Sequence, residues 1–236
     1  MKKLLLFVAA VMLLGSAAAQ GLPKNIVGVR AGANFSSLDY ELLGALDLFD
    51  FRTNFNAGVS YERLLLKNLP LYLETGLHYS NKGFKISDFY DYEYEDDYEY
   101  DYEYEDESSY GARTSLGYIE VPVMLNYKFF IGNDIALYPS AGLYYAFGVA
   151  GNTVETFEGE KLGVPSDVFG EDGLKRSDFG YRVSISTSWR NFVLSAGYEG
   201  SILNVAQPLN IGDVGILSLK ATNLNIFVTL GYNLNF

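Results

Sequence analysis

Eight stretches of this chain alternate large apolar residues with small or polar ones at period two, each for roughly 10 to 16 residues. That is the periodicity of strands and not of helices. The stretches cover about 25–36, 51–63, 70–81, 115–130, 134–149, 178–189, 191–200 and 221–236, with Gly, Asn, Asp and Pro clusters between them. In the clearest, Phe179, Tyr181, Val183, Ile185, Thr187 and Trp189 alternate with Gly180, Arg182, Ser184, Ser186 and Ser188. A strand of an ordinary globular domain has about 5 or 6 residues, whereas a tilted strand that crosses a bilayer needs about 9–11. An open sheet leaves edge amides unpaired in lipid, so strands of this length predict closure. The expected fold is all-β: an eight-stranded antiparallel transmembrane β-barrel connected as an up-and-down meander.

Either face of such strands could point inward. A soluble barrel would turn the apolar faces in, crowding many Tyr and Phe side chains into a very small interior. The inverse arrangement fits better, with the Gly, Ser and Asn faces lining the lumen and the apolar faces meeting lipid. It brings eight charged residues inward: Arg30, Arg52, Lys128 and Arg182 against Glu62, Glu74, Glu120 and Glu199. An unpaired charge in a narrow, low-dielectric lumen costs several kcal/mol. Equal numbers therefore predict an ion-pair network that fills the barrel, in preference to a selective pore.

Connection lengths give an orientation. Those at 64–69, 132–133 and 190–191 are short, and those at about 37–50, 82–114, 150–177 and 201–220 are long. Outer-membrane barrels keep short turns in the periplasm and long loops outside. The parity places all four long connections outside and both termini in the periplasm.

The second long connection carries most of the charge. Of the 29 acidic residues, eleven lie within 91–107: Asp91, Glu93, Glu95, Asp96, Asp97, Glu99, Asp101, Glu103, Glu105, Asp106 and Glu107, alternating with six tyrosines. The remaining 18 acids face 17 Lys and Arg, so the formal charge of -12 belongs chiefly to this loop and the rest of the chain is near neutral. Like-charge density of this kind opposes compact packing. The stretch reads as a solvated surface segment, or as a weak, multivalent site for Ca²⁺ or a cationic partner. No spacing in it matches an EF-hand or another dedicated cage. An acidic chain also argues against nucleic acid as a partner.

The chain opens with Met1-Lys2-Lys3, an apolar run and Ser16-Ala17-Ala18-Ala19-Gln20, the sequence of a secretory signal peptide. We expect residues 1–19 to be this leader, cleaved after Ala19, and 20–236 to be the barrel domain. The apolar run is shorter than the roughly 20 residues of a spanning helix. With no cysteine in the chain, thiol nucleophiles, disulfides and thiolate metal sites are excluded.

Three blocks carry a family resemblance: Val29-Arg30-Ala31-Gly32-Ala33-Asn34-Phe35-Ser36, then Gly117-Tyr118-Ile119-Glu120-Val121-Pro122-Val123-Met124-Leu125-Asn126-Tyr127, then Pro139-Ser140-Ala141-Gly142-Leu143-Tyr144. A weaker fourth is Gly197-Tyr198-Glu199-Gly200 with Leu203. Over about 25–236 the chain resembles the small outer-membrane beta-barrel family common in Bacteroidetes. The resemblance implies an eight-stranded barrel at the outer membrane and no set biochemical activity. Some relatives are associated with a secretion apparatus, a role that maps onto no residue here. The terminal Phe236 resembles the last-strand signal read by the assembly machinery of Gram-negative outer membranes.

Three functions follow in descending order: a structural or surface-interaction barrel, a transport or secretion accessory, and a barrel enzyme. The enzyme has least support. His78 is the single histidine, and its neighbours Glu74 and Ser80 match a base with a nucleophile only superficially. No cofactor is expected. The partners expected are outer-membrane lipid, the assembly machinery, and a cation or cationic surface at the acidic loop.

Overall fold

A computed structural model of the chain describes residues 22–40, 50–89, 110–132, 134–157, 160–169, 173–210, 216–217 and 220–236. The expected leader, 1–19, and the acidic run, 91–107, lie outside the described residues. Twelve strands form among those described: β1 (Asn25–Tyr40), β2 (Asp50–Leu66), β3 (Leu69–Phe89), β4 (Tyr110–Tyr127), β5 (Phe129–Ile131), β6 (Ile135–Phe157), β7 (Glu160–Asp167), β8 (Ser177–Trp189), β9 (Phe192–Ser201), β10 (Leu209–Asn210), β11 (Ile216–Leu217) and β12 (Ala221–Asn235).

Eight of these are long, and each pairs antiparallel with the next long strand of the chain: β1 with β2, β2 with β3, β3 with β4, β4 with β6, β6 with β8, β8 with β9 and β9 with β12. β12 then pairs with β1 from Ile26↔Asn235 to Tyr40↔Ala221, which returns the ladder to its first strand. The fold is all-β, antiparallel and barrel-like. β5 and β7 extend hairpins on β6, and β10 and β11 form a separate two-stranded ladder.

The outer and inner faces differ as the alternation requires. Val29, Val59, Leu77, Val123, Leu143, Ile185, Leu194 and Leu230, one from each long strand, are between 46% and 68% exposed. On the opposite face of the same strands, Asn34, Glu62, Ser80, Glu120, Tyr144, Asp178, Glu199 and Asn225 are at most 4% exposed. A protein in water would not pair an apolar coat of this extent with a charged interior. In lipid both faces are satisfied: the coat meets hydrocarbon and the wall bonds every central amide to a neighbour.

The strands run further than the sequence pattern suggests at one end. The connection expected at 82–114 narrows to 90–109, and that at 150–177 contains the last turn of the β6 ladder and all of β7. Beyond the membrane no lipid imposes a strict two-residue period, so pairing continues where the alternation fades. At the other end the fourth expected strand breaks at Lys128, whose amide donates to the Pro70 carbonyl at 2.9 Å, and resumes as β5. The tight connections between β2 and β3, β5 and β6, and β8 and β9 share this second end, called here the turn end; the opposite one is the loop end.

Candidate functional site

The interior of the ladder is filled by charged side chains arranged in two tiers. Nearer the turn end, Glu62 on β2 receives Lys128 Nζ at 2.7 Å and Arg30 Nη2 at 3.9 Å. Asn126 Nδ2 on β4 donates to Glu62 Oε2 at 3.2 Å and to Glu74 Oε2. The Lys128 ammonium also lies 4.6 Å from the Tyr72 ring centre and 4.8 Å from that of Tyr138. Aromatic faces on one side and a carboxylate on the other replace the water that a buried ammonium loses.

The second tier lies nearer the loop end and joins four strands. Lys82 on β3 stands 3.3 Å from Glu120 on β4 and 3.0 Å from Glu199 on β9. Arg182 on β8 reaches the same two carboxylates through Nη1, at 2.8 and 3.2 Å. Its guanidinium covers the Phe227 ring at 4.3 Å, while Lys82 lies 4.4 Å from the Tyr144 ring centre. Asn225 Nδ2 donates to Glu199 Oε2 at 2.8 Å, and an amide chain continues through Asn34 to Asn56 and Ser80. In the ring of long strands β3 and β9 face each other, so the Lys82–Glu199 contact crosses the full width of the lumen.

Above this tier the loop end is closed by apolar packing. Asp178 accepts from Tyr144 Oη at 3.2 Å and from Asn223 Nδ2 at 3.0 Å. Leu38, Leu116, Tyr118 and Ala221 then pack with Val168, Phe169, Leu174, Val205 and Ala206 from the connections after β7 and β9. Phe169 meets Tyr118 edge-on at 5.8 Å. It fits because Gly148 and Gly151 leave room: a Cβ on Gly148 would stand 2.4 Å from the Phe169 ring. The two connections hold each other through Lys175 N to Val205 O at 2.7 Å and the Leu174–Ala206 bridge.

The open space is at the other end. A vestibule of about 660 Å³, lined by Ile26, Tyr72, Ala136 and Asn233 among others, opens at the turn end and stops at Lys128. Pro23 lies in it, with its carbonyl accepting from Tyr72 Oη at 3.1 Å. Between the tiers a cavity of about 40 Å³ touches Arg30, Glu74, His78 and Arg182.

Arg30, Glu62, Glu74, Glu120, Lys128, Arg182 and Glu199 thus stand in the two tiers. Arg52 does not. It is half-buried toward the loop end with Arg113 as its charged neighbour, beyond a register shift of β2 against β3 between Phe51 and Asn56, and among the described residues it makes no ion pair. Lys82 and Asp178 were missed by the sequence reading, although both follow its own parity. Continuing Tyr72, Glu74, Gly76, His78, Ser80 by one step reaches Lys82, and stepping back from Gly180 reaches Asp178. His78 Nε2 is buried without a hydrogen-bond partner among the described residues, and Ser80 Oγ accepts from Asn34 Nδ2 at 3.0 Å, so the structure does not bring these two together as base and nucleophile. Among the described residues no group of three His, Asp or Glu side chains could hold a metal ion. The eleven acids of 91–107 lie outside the described residues.

A lipid-compatible outer coat around a paired, charged interior defines the class: a barrel-like protein built to sit in a membrane. A family model described as outer membrane protein beta-barrel domain matches residues 18–207, and the chain belongs to that family. Its address is accordingly the outer membrane. No curated protein matches the chain. Among solved structures it is similar to Neisserial surface protein A (12% identity, 87% of this chain and 96% of that one, TM-score 0.41). It is also similar to the attachment invasion locus protein Ail of Yersinia pestis (13%, 89% and 99%, TM-score 0.40) and to OprG of Pseudomonas aeruginosa (12%, 92% and 99%, TM-score 0.43).

Proposed function

We propose that this protein is a closed, eight-stranded barrel that spans the outer membrane, seals its own lumen, and serves as a structural or surface-interaction module. The observation that carries the sealed lumen is the Lys82–Glu199 contact at 3.0 Å between facing strands, with Lys82 fully buried. Two ion-pair tiers and an apolar cap leave no water column for ions to follow. The long connections face the exterior and the turn end faces the periplasm, as strand parity favours. Residues 1–19 act as the export leader, the barrel is of the Bacteroidetes kind, and its last strand addresses it to the assembly machinery. Each of these three rests on sequence pattern. The run 91–107 is an exterior acidic segment whose composition suits Ca²⁺ or a cationic surface, held weakly.

Planar-bilayer recording of the purified full chain tests the seal. The expected result is a silent membrane at all salt concentrations. Reproducible single-channel steps that scale with salt would overturn the proposal in favour of a transport role. For the acidic run, calorimetry with Ca²⁺ on the full chain and on a chain lacking 91–107 is expected to show weak heat only in the former; equal traces would remove it as a cation site.

A further inference from the structure

One hollow on the outer wall does not belong to the lumen. It is a groove of about 480 Å³ on β8, β9, β12 and β1, next to the turn end, and its lining is almost wholly apolar. Ala31 is the small outward residue of its lining, and Trp189, Phe192, Leu230 and Tyr232 are large exposed side chains of the same face. Ala31 pairs with Leu230 on the outward row, so one small residue sits among large ones there, whereas Gly231 pairs with Arg30 on the inward row and leaves that side chain room in the lumen.

The turn that joins Trp189 to Phe192 is unusual. Arg190 occupies it with φ of 54°, a left-handed conformation that a two-residue hairpin normally gives to Gly or Asn. Strain kept at such a position points to a use for the side chain. Arg190 itself lines the turn-end vestibule; its guanidinium lies 5.6 Å from the centre of the Trp189 ring, which lines the groove, and its Nε lies 3.6 Å from Asp134 Oδ1. Exposed Lys24, Arg63 and Lys67 share this end of the wall, against the single described acid Asp134.

We infer that the groove binds one phospholipid of the periplasmic leaflet, an acyl chain lying over Ala31 and an anionic phosphate held at Arg190. The inference rests on the membrane-spanning reading, which puts this apolar wall in hydrocarbon and its basic rim at the headgroups. The groove's volume is that of a small-ligand site of about 300–1,000 Å³. A second copy of the chain would need a contact of roughly 800 Å² on each partner, more than a hollow of this size supplies.

The full chain is reconstituted with phosphatidylglycerol, extracted in mild detergent and weighed by native mass spectrometry. Wild type should retain one phosphatidylglycerol per chain. Arg190→Gln, and separately Ala31→Trp or Thr187→Trp, which fill the groove from lipid-facing positions, should reduce the retained fraction several-fold. Arg63→Gln, on the same rim but away from the groove, should not. Equal retention in wild type and the groove variants overturns the inference, as does equal loss in Arg63→Gln. A dimer peak that Ala31→Trp abolishes overturns it in favour of a second copy. Each variant is first checked for a heat-modifiable gel band, so a protein soluble without detergent would sink the membrane reading and not merely the groove.

Discussion

At the residue scale the interior behaves as one electrostatic unit. Lys82 is held by two carboxylates and two tyrosine faces, and removing its charge leaves Glu120 and Glu199 with Arg182 alone. Breaking a buried pair on one side costs about 3–5 kcal/mol. Lys82→Met is therefore expected to unfold at clearly lower urea than wild type, followed by loss of the heat-modifiable band. Adding Glu199→Gln should restore part of the loss, since the second change removes the charge that the first left stranded. An additive double mutant would show that the two residues do not act together. Most of this interior was legible because parity alone assigns a side chain to the lumen. Parity does not say how high along the lumen a residue lies, which is why Arg52 reads as a member and stands with Arg113 instead.

At the element scale the strands obey two environments. Inside lipid the alternation is strict and the eight long strands can be read from it. Outside, β7, β10 and β11 follow no period that sequence inspection could find, since Glu160–Asp167 pairs only with the end of β6 across a register shift. The depth of each position in lipid predicts its tolerance of charge. Ile185, 55% exposed and four residues from the β8 end, lies well within the hydrocarbon, so Ile185→Arg should cost about 2–4 kcal/mol. Val27, close to the turn end, should tolerate Arg at about 0–1 kcal/mol. Urea titrations of refolded protein in lipid vesicles read both, and equal costs would contradict the depth assignment. The cap is a second test: with Phe169→Ala the connection after β7 loses its anchor against Gly148 and Tyr118. Limited proteolysis should then cut within 167–176 many times faster than in wild type. Unchanged cutting would mean that the connection is held by its backbone bonds to Gly148 and Val205 alone.

At the scale of the whole molecule the absence of cysteine is useful, since single cysteines can be placed on a silent background. On intact cells a membrane-impermeant maleimide should label Ser108→Cys and leave Lys67→Cys unlabelled until the outer membrane is opened. The reverse pattern would invert the orientation. The pairing of β1 with β12 carries a further consequence, which concerns time. The ladder closes through residues almost a full chain length apart, and until the last fifteen pairs form, both β1 and β12 keep a bare edge. Contacts this distant in sequence form late and slowly. No partial product made from the amino-terminal end can be a smaller version of the finished wall, because every intermediate has two open seams that could pair with any passing strand. A chain whose seam is still open is therefore expected to need both edges shielded from other copies of itself until β12 meets β1.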